Sequence, residues 1–365
     1  MTETKPQQSA AKRDHVDGDF AREELALANR NSGMPLEALR YDVTPAGMHY
    51  LLIHFDVPFV PQPELWRLSV NGLVDQPLEL SLAQIEEMPS RTLRVTLECA
   101  GNGRADLSPR WQSMPWTNGA VGTAEWTGTP LRNVLERAGL KREARDVVFS
   151  GIDRGIDYGA EHDYARSLTP EMAMNPDVML VWAMNGAPLL PQHGFPLRLI
   201  VPGWYGMASV KWLDRIEVVG EPFRGPHQVR SYMYRDRPDE AGTPVTSMRV
   251  KSLILPPGIC DWYSRERIVE AGTVELCGRA WAGDGEAIAR VDVAIDGCWH
   301  AASLEPAASR FAWSGWRCAW TATPGRHEIM CRATTISGET QPLDPPWDSG
   351  GLGNNCVHRI AVTVR

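Results

Sequence analysis

The clearest periodic stretch of the chain runs from Leu93 to Arg104. Leu93, Val95 and Leu97 alternate with Arg94, Thr96 and Glu98, the period-two pattern of a half-buried strand. That strand leads into Cys99. Gly101 and Gly103 then bracket Asn102, which lets the backbone turn sharply and reach positive φ, and Arg104 follows the turn. The same reading predicts short helices over residues 20–29, 82–88 and 131–138, with Ser81 as the cap of the second and Gly139 as the stop of the third. Strands are predicted over 66–70, 146–151, 178–184, 197–201 and 210–219. Asn71-Gly72 reads as a hairpin turn, and Asn185-Gly186 and Pro202-Gly203 as further turns. Helices and strands mix without βαβ regularity, which predicts an α+β domain rather than a doubly wound sheet.

The texture changes near residue 240. Residues 222–243 are rich in Arg, Pro and Gly and read as a linker. Beyond them helical periodicity stops, and short alternating strands follow over 274–281, 289–295, 317–321, 327–333 and 358–364. That pattern predicts an all-β sandwich of immunoglobulin type. The expected organisation is therefore an N-terminal tail over 1–35, polar through its first twenty residues, an α+β domain over 36–240 and the sandwich over 241–365.

Composition narrows the function. The 365 residues are 43% hydrophobic and 22% charged, with a net charge of −8, which is globular and argues against nucleic acid or an anionic membrane as partner. An anion site in such a chain must be a local cationic pocket. The cysteines are seven, an odd number, and none are spaced CxxC. That favours reduced thiols in a cytosol over a zinc site or a disulfide framework. With no apolar leader and no long apolar run, the expected location is the cytoplasm. A thiol delivered by a strand into a glycine-rich turn suits a soft metal. The N–H groups of such a turn, with Arg104 behind them, suit an oxyanion.

Cys99-Ala-Gly-Asn-Gly-Arg104 resembles the Cys-Ala-Gly-Asn-x-Arg segment of the sulfite oxidase family, and the resemblance extends over nearly all of 45–365. It includes His193-Gly-Phe-Pro-Leu-Arg198, Ser209-Val-Lys211, His54 before Phe55-Asp-Val-Pro58, and Asp153 in Gly151-Ile-Asp153. Each of these alone fits an ordinary turn, core or surface role; their joint order and spacing does not. The resemblance implies a sulfite-oxidase-type molybdopterin-binding domain and a sandwich that mediates homodimers. It makes Cys99 the molybdenum ligand and His54, Asp153, His193, Arg198, Ser209 and Lys211 the cofactor contacts. The cations would meet the cofactor's phosphate and the carboxylate the pterin edge. It further implies Arg104 as substrate-anion anchor, Trp116 as pocket wall, and Tyr232 (or, second, Tyr234) as the phenol beside the metal; Cys99, Arg104 and Tyr232 are the expected catalytic set.

The substrate pocket departs from the family. Where the resemblance leads one to expect an arginine before His54, a lysine before Trp116 and an arginine near the C-terminus, this chain has Leu52, Gln112 and Gly350. Two lost guanidiniums, at roughly 1.5–3 kcal/mol for each hydrogen bond to a charged group, would weaken a sulfite or sulfate dianion by about 100-fold or more. Arg230 and Arg235 are candidate substitutes. The expected activity is oxygen-atom transfer on a small sulfur oxyanion, sulfite first. Alternatives are S- or N-oxide reduction, sulfane oxidation, or a non-catalytic molybdopterin-binding dimer. Without a Cys-x-x-Cys-His segment or room for a haem domain, electrons would pass to a separate acceptor.

Overall fold

The computed structural model describes residues 19–365 and the backbone of His15–Val16; of the tail expected over the first twenty residues, positions 1–14 and 17–18 lie outside the described residues. The rest of that tail is packed. Arg22–Arg30 is a helix whose Glu24 is buried in an ion pair with Arg110 at 2.8 Å, and the Arg110 guanidinium also covers the Phe20 ring. Met34 belongs to a buried cluster. The segment read as tail is thus folded from Arg22 onward.

Two five-stranded sheets build the first unit. One runs Ala187–Pro188, Met179–Met184, Val121–Pro130 and Arg91–Glu98, with Arg198–Ile200 also on Met179–Met184. The other runs Leu78–Ser81, Arg67–Gly72, Leu213–Val219, Asp146–Asp157 and Ala160–Leu168. Leu131–Ala138 forms the predicted helix, buries Leu131, Val134, Leu135 and Ala138, and stops at Gly139 with φ +73°. Ser81 caps Leu82–Glu86 with Gln84 answering in a capping box. The expected hairpin turn at Asn71-Gly72 is displaced. Leu213–Val219 pairs in parallel with both residues and draws them into the strand, and the connection to Leu78 comes afterwards.

The second unit stacks a four-stranded sheet (Lys251–Ile254, Gly272–Trp281, Ser314–Ala322, Ser303–Leu304) against a six-stranded one (Ile259–Cys260, Arg267–Val269, His358–Val364, Gly325–Thr335, Ile288–Ile295, Cys298–Ala301). Leu276, Val291, Val293, Trp316, Ile329 and Val362 lie in its core. This is the predicted sandwich. Residues 222–243 are more than a connector: His227–Ser231 makes one π-helical turn and Met233–Tyr234 pairs with Thr243–Pro244. No helix among the described residues is long and apolar enough to cross a membrane.

The thiol-bearing strand differs from its prediction. Its alternation holds at the start, but Thr96 and Glu98 are as buried as Val95 and Leu97. The sandwich covers the second face: the Thr96 N–H donates to the Phe311 carbonyl, and the Trp281 indole donates to Glu98 at 2.9 Å.

Candidate active site

Two cavities meet at Cys99. The inner one, about 60 Å³, is lined by Asp153, His193, Arg198, Ser209 and Lys211. The outer one, about 440 Å³, opens past Arg104, Trp116 and Arg230. Leu52, His54, Cys99 and Tyr232 line both, so the thiol stands in the doorway between them.

The loop after Glu98 fixes the thiol. The Cys99 N–H donates to the Ala120 carbonyl at 2.8 Å, and the N–H groups of Asn102, Gly103 and Arg104 donate to the carbonyls of Cys99, Thr117 and Gly101. Those three donors are engaged within the protein and do not face an anion. Gly103 takes φ +85°. A side chain at Gly101 would meet the Arg104 guanidinium at 2.7 Å, so glycine there lets the cation lie against the turn. Burial pushes the Cys99 thiol up, while the Gly101 N–H, Arg104 and a hydrogen bond from Trp116 pull the other way. Those three groups face the sulfur and favour its thiolate.

Arg104 donates to the carbonyls of Gly350 (3.1 Å) and Met114 (2.9 Å). Trp116 is buried beside Cys99, Met114 and Ala120. The Tyr232 hydroxyl shares a 2.8 Å hydrogen bond with His54 Nε2, and burial raises its pKa well above the usual phenol value. Tyr234 lies elsewhere, under Arg249 and beside Gly353. The pocket departures are equally concrete. Leu52 lines both cavities, Gly350 lines the outer one, and Gln112 sits between Trp111 and Ser113, which do. Arg235 donates to the Val229, Arg230 and Glu240 carbonyls, bracing the segment that carries Tyr232. Arg230 lines the outer chamber, its guanidinium over the Tyr158 ring.

The inner cavity concentrates cationic side chains that donate to backbone carbonyls. Arg198 donates to His193 and Ser209 carbonyls, and its Nε, buried, has no partner among the described residues. Lys211 donates to Leu52 and Gln192 carbonyls. Burial lowers the Lys211 ammonium to about 7 and His193 to about 4, with Arg198 adding to both. Asp153 is buried with Oδ1 unpaired, and burial raises it to about 7. Ser209 Oγ accepts from the Val201 N–H. Buried cationic side chains that donate to carbonyls, in a chain of net charge −8, suit a bound anion. Among the described residues no group of three or more His, Cys, Asp or Glu gathers to hold a metal. A metal held by one thiol would need a carrier to supply the rest of its ligands.

Comparison with known proteins names that carrier. A family model described as an oxidoreductase molybdopterin binding domain matches residues 54–227, and one described as a Mo-co oxidoreductase dimerisation domain matches 243–365. Sulfite oxidase of Gallus gallus is 34% identical over 344 residues, covering 87% of this chain and 72% of the relative. This chain belongs to the sulfite oxidase family of molybdopterin oxidoreductases. Mitochondrial sulfite oxidase of Mus musculus is 35% identical over 88% of this chain, and an NADH nitrate reductase of Brassica napus is 31% identical over 92%. The chain spans 62% of the length of the mouse relative and 40% of the nitrate reductase. The sulfane dehydrogenase SoxCD from Paracoccus pantotrophus superposes with a TM-score of 0.79 at 25% identity, covering 97% of this chain and 90% of that one. The inner cavity's residues fit the family's cofactor: Arg198, its Nε still open, and Lys211 for a phosphate, Asp153 with its open Oδ1 for a pterin edge, and the Cys99 thiol for the metal.

Sequence reasoning missed several residues of the site. Leu27 and Asn31, from the helix read as tail, line the outer chamber, and Asn31 Oδ1 accepts the Ile53 N–H at 2.6 Å. His49 and Tyr50 line the inner cavity. Their position just before His54 was the available signal.

Proposed function

We propose that this chain carries out molybdenum-dependent oxygen-atom transfer at a sulfur atom, on a substrate larger and less charged than a bare sulfur dianion. The supporting observation is the outer chamber: about 440 Å³, with Leu52 and Gly350 where guanidiniums were expected. When bound, molybdopterin supplies a metal that takes two electrons while the substrate sulfur gains one oxygen from water, with two protons released and both electrons leaving to a separate acceptor.

The chain's residues do the rest. Cys99 ligates the metal. Lys211, Arg198 and His193 meet the phosphate, Asp153 reads the pterin edge, and Ser209 and His54 hold the frame around them. Tyr232, kept protonated by burial, offers its O–H to the substrate or exchanges it with His54. Arg104 turns a cation toward the chamber, and Trp116 excludes water from the sulfur. The dimerisation-domain match supports a homodimer through 243–365.

Sulfite itself is the second reading, favoured by Arg104 beside the thiol and by the names of the relatives. Elemental analysis of the purified protein, then turnover with an artificial acceptor on sulfite, thioethers and sulfane compounds and with reduced viologen on S- and N-oxides, tests the proposal. The expected result is bound molybdenum and a lower KM for a neutral or monoanionic sulfur compound than for sulfite. Preference for sulfite, or for an N-oxide, overturns the substrate reading. Bound cofactor without turnover on any of them leaves a binding protein instead.

A further inference from the structure

The buried face at the end of the thiol-bearing strand holds an ion pair that the proposed chemistry does not use. Glu98 and Lys251 are each 1% exposed, and Lys251 Nζ lies 3.3 Å from Glu98 Oε1. Glu98 immediately precedes the thiol; Lys251 comes from the first strand of the sandwich. Around the pair the bonds converge on the turn. Lys251 donates to the Asn102 carbonyl at 3.3 Å and the Asn354 carbonyl at 2.7 Å. The Asn102 amide donates to Glu98 at 2.9 Å and accepts from the Ala120 N–H at 3.0 Å. The Asn354 amide donates to the Gly103 carbonyl, and the Gly353 N–H to the Ala100 carbonyl. Ala100, Asn102 and Gly103 are therefore each tied to the C-terminal unit.

A buried ion pair is a poor device for stability alone, because desolvation offsets much of its attraction. It is a good device for holding one geometry and one local charge. Loss of a group that orients a metal's ligand typically costs roughly 10–100-fold in metal affinity or activity. We propose that Glu98 and Lys251 are positioning residues for Cys99: an ion pair between the two units that fixes the thiol's turn and holds the charge behind the sulfur at zero. The sandwich is then part of the redox centre as well as the family's dimerisation module. The proposal rests on Cys99 being the metal ligand.

Holoenzyme carrying Lys251→Met, Glu98→Gln or both tests it by two readouts: the molybdenum midpoint potential, and hydrogen exchange at the amides of residues 99–104. Lys251→Met leaves a carboxylate unpaired behind the sulfur, so the midpoint falls. Glu98→Gln leaves an ammonium, so it rises. The double variant returns close to the parent. Exchange of the turn quickens in Lys251→Met, and its turnover drops about 10–100-fold, partly recovering in the double variant. Midpoints that stay put or move together, whatever the melting temperature does, reduce the pair to ordinary packing between units and overturn the proposal. Should Lys251→Met fail to fold, the near-isosteric Glu98→Gln still decides by the direction of its shift. A Cys99→Ser protein that keeps its metal signal unchanged removes the premise instead, and so distinguishes that failure from this one.

Discussion

The two cavities that meet at Cys99 differ in size and in lining. The inner one crowds His193, Arg198 and Lys211 together with carbonyls for partners, an arrangement that waits for an anion. The outer one is wider and has Leu27 and Trp116 in its walls; its Arg104 and Arg235 are likewise held by carbonyls, and Arg230 lies over the Tyr158 ring. A cofactor is the same molecule in every member of a family, so the groups that hold it are fixed by its chemistry. A substrate is not, and the walls facing it are where a family member can change its activity without disturbing the fold.

Replacing the doorway residue should break both sides at once. Cys99→Ser is expected to lower turnover by more than the roughly 10–100-fold typical of a residue that merely supports a ligand, with an altered metal signal and an unchanged circular dichroism spectrum. Inner-cavity substitutions should act on occupancy. Lys211→Met removes charge-assisted hydrogen bonds to the proposed phosphate, each worth roughly 1.5–3 kcal/mol, and should lower cofactor affinity about 10–100-fold, read as molybdenum per protein after dialysis. Outer-chamber substitutions should leave occupancy alone and change specificity. Gly350 has φ outside the left-handed region and its nearest neighbours to a new Cβ lie at 3.4 Å or beyond, so the backbone there accepts the side chain of Gly350→Arg. Restoring that cation should lower KM for sulfite about tenfold with molybdenum content unchanged. Loss of molybdenum in Gly350→Arg would erase the distinction between the two cavities.

The same asymmetry governed what could be read from the chain. The cofactor side lies in contiguous motifs, Cys99 to Arg104 and His193 to Arg198, whose order and spacing identify the family without any structure. The helix 131–138 and the sandwich strands also follow local patterns. What failed needed partners distant in sequence. Val121–Pro130 is buried on most of both faces, so it shows no alternation and went unassigned. Glu98 falls on the phase that alternation gives to solvent, and only the sandwich packing over it reveals a buried role for it and Lys251. The Tyr158-Gly159 turn, both residues at positive φ, carries Asp146–Asp157 into a hairpin that the predicted end at residue 151 had cut short. Leu27 and Asn31 were assigned to a tail because nothing near them in sequence marks a chamber wall.

The pH dependence of stability is the sharpest test of the inner cavity. Burial holds Asp153 up to about 7, against 3.8 ordinarily, with Oδ1 unpaired. Between those values the folded protein keeps a proton that the unfolded chain has released. Stability therefore falls as pH rises through that window, by roughly 1.4 kcal/mol per pH unit for this one group. Asp153→Asn cannot ionise, so its melting temperature in cofactor-free protein, measured against the parent, should gain steadily from pH 4 to pH 7 and level off above. Cofactor retention in the same variant should decline, since the amide reads a pterin edge less well than a carboxylate. A gain in stability joined to a loss of occupancy is what a group kept for binding gives. A flat difference across pH would mean that Asp153 is an ordinary ionised carboxylate in the folded chain, and that burial does not hold its proton.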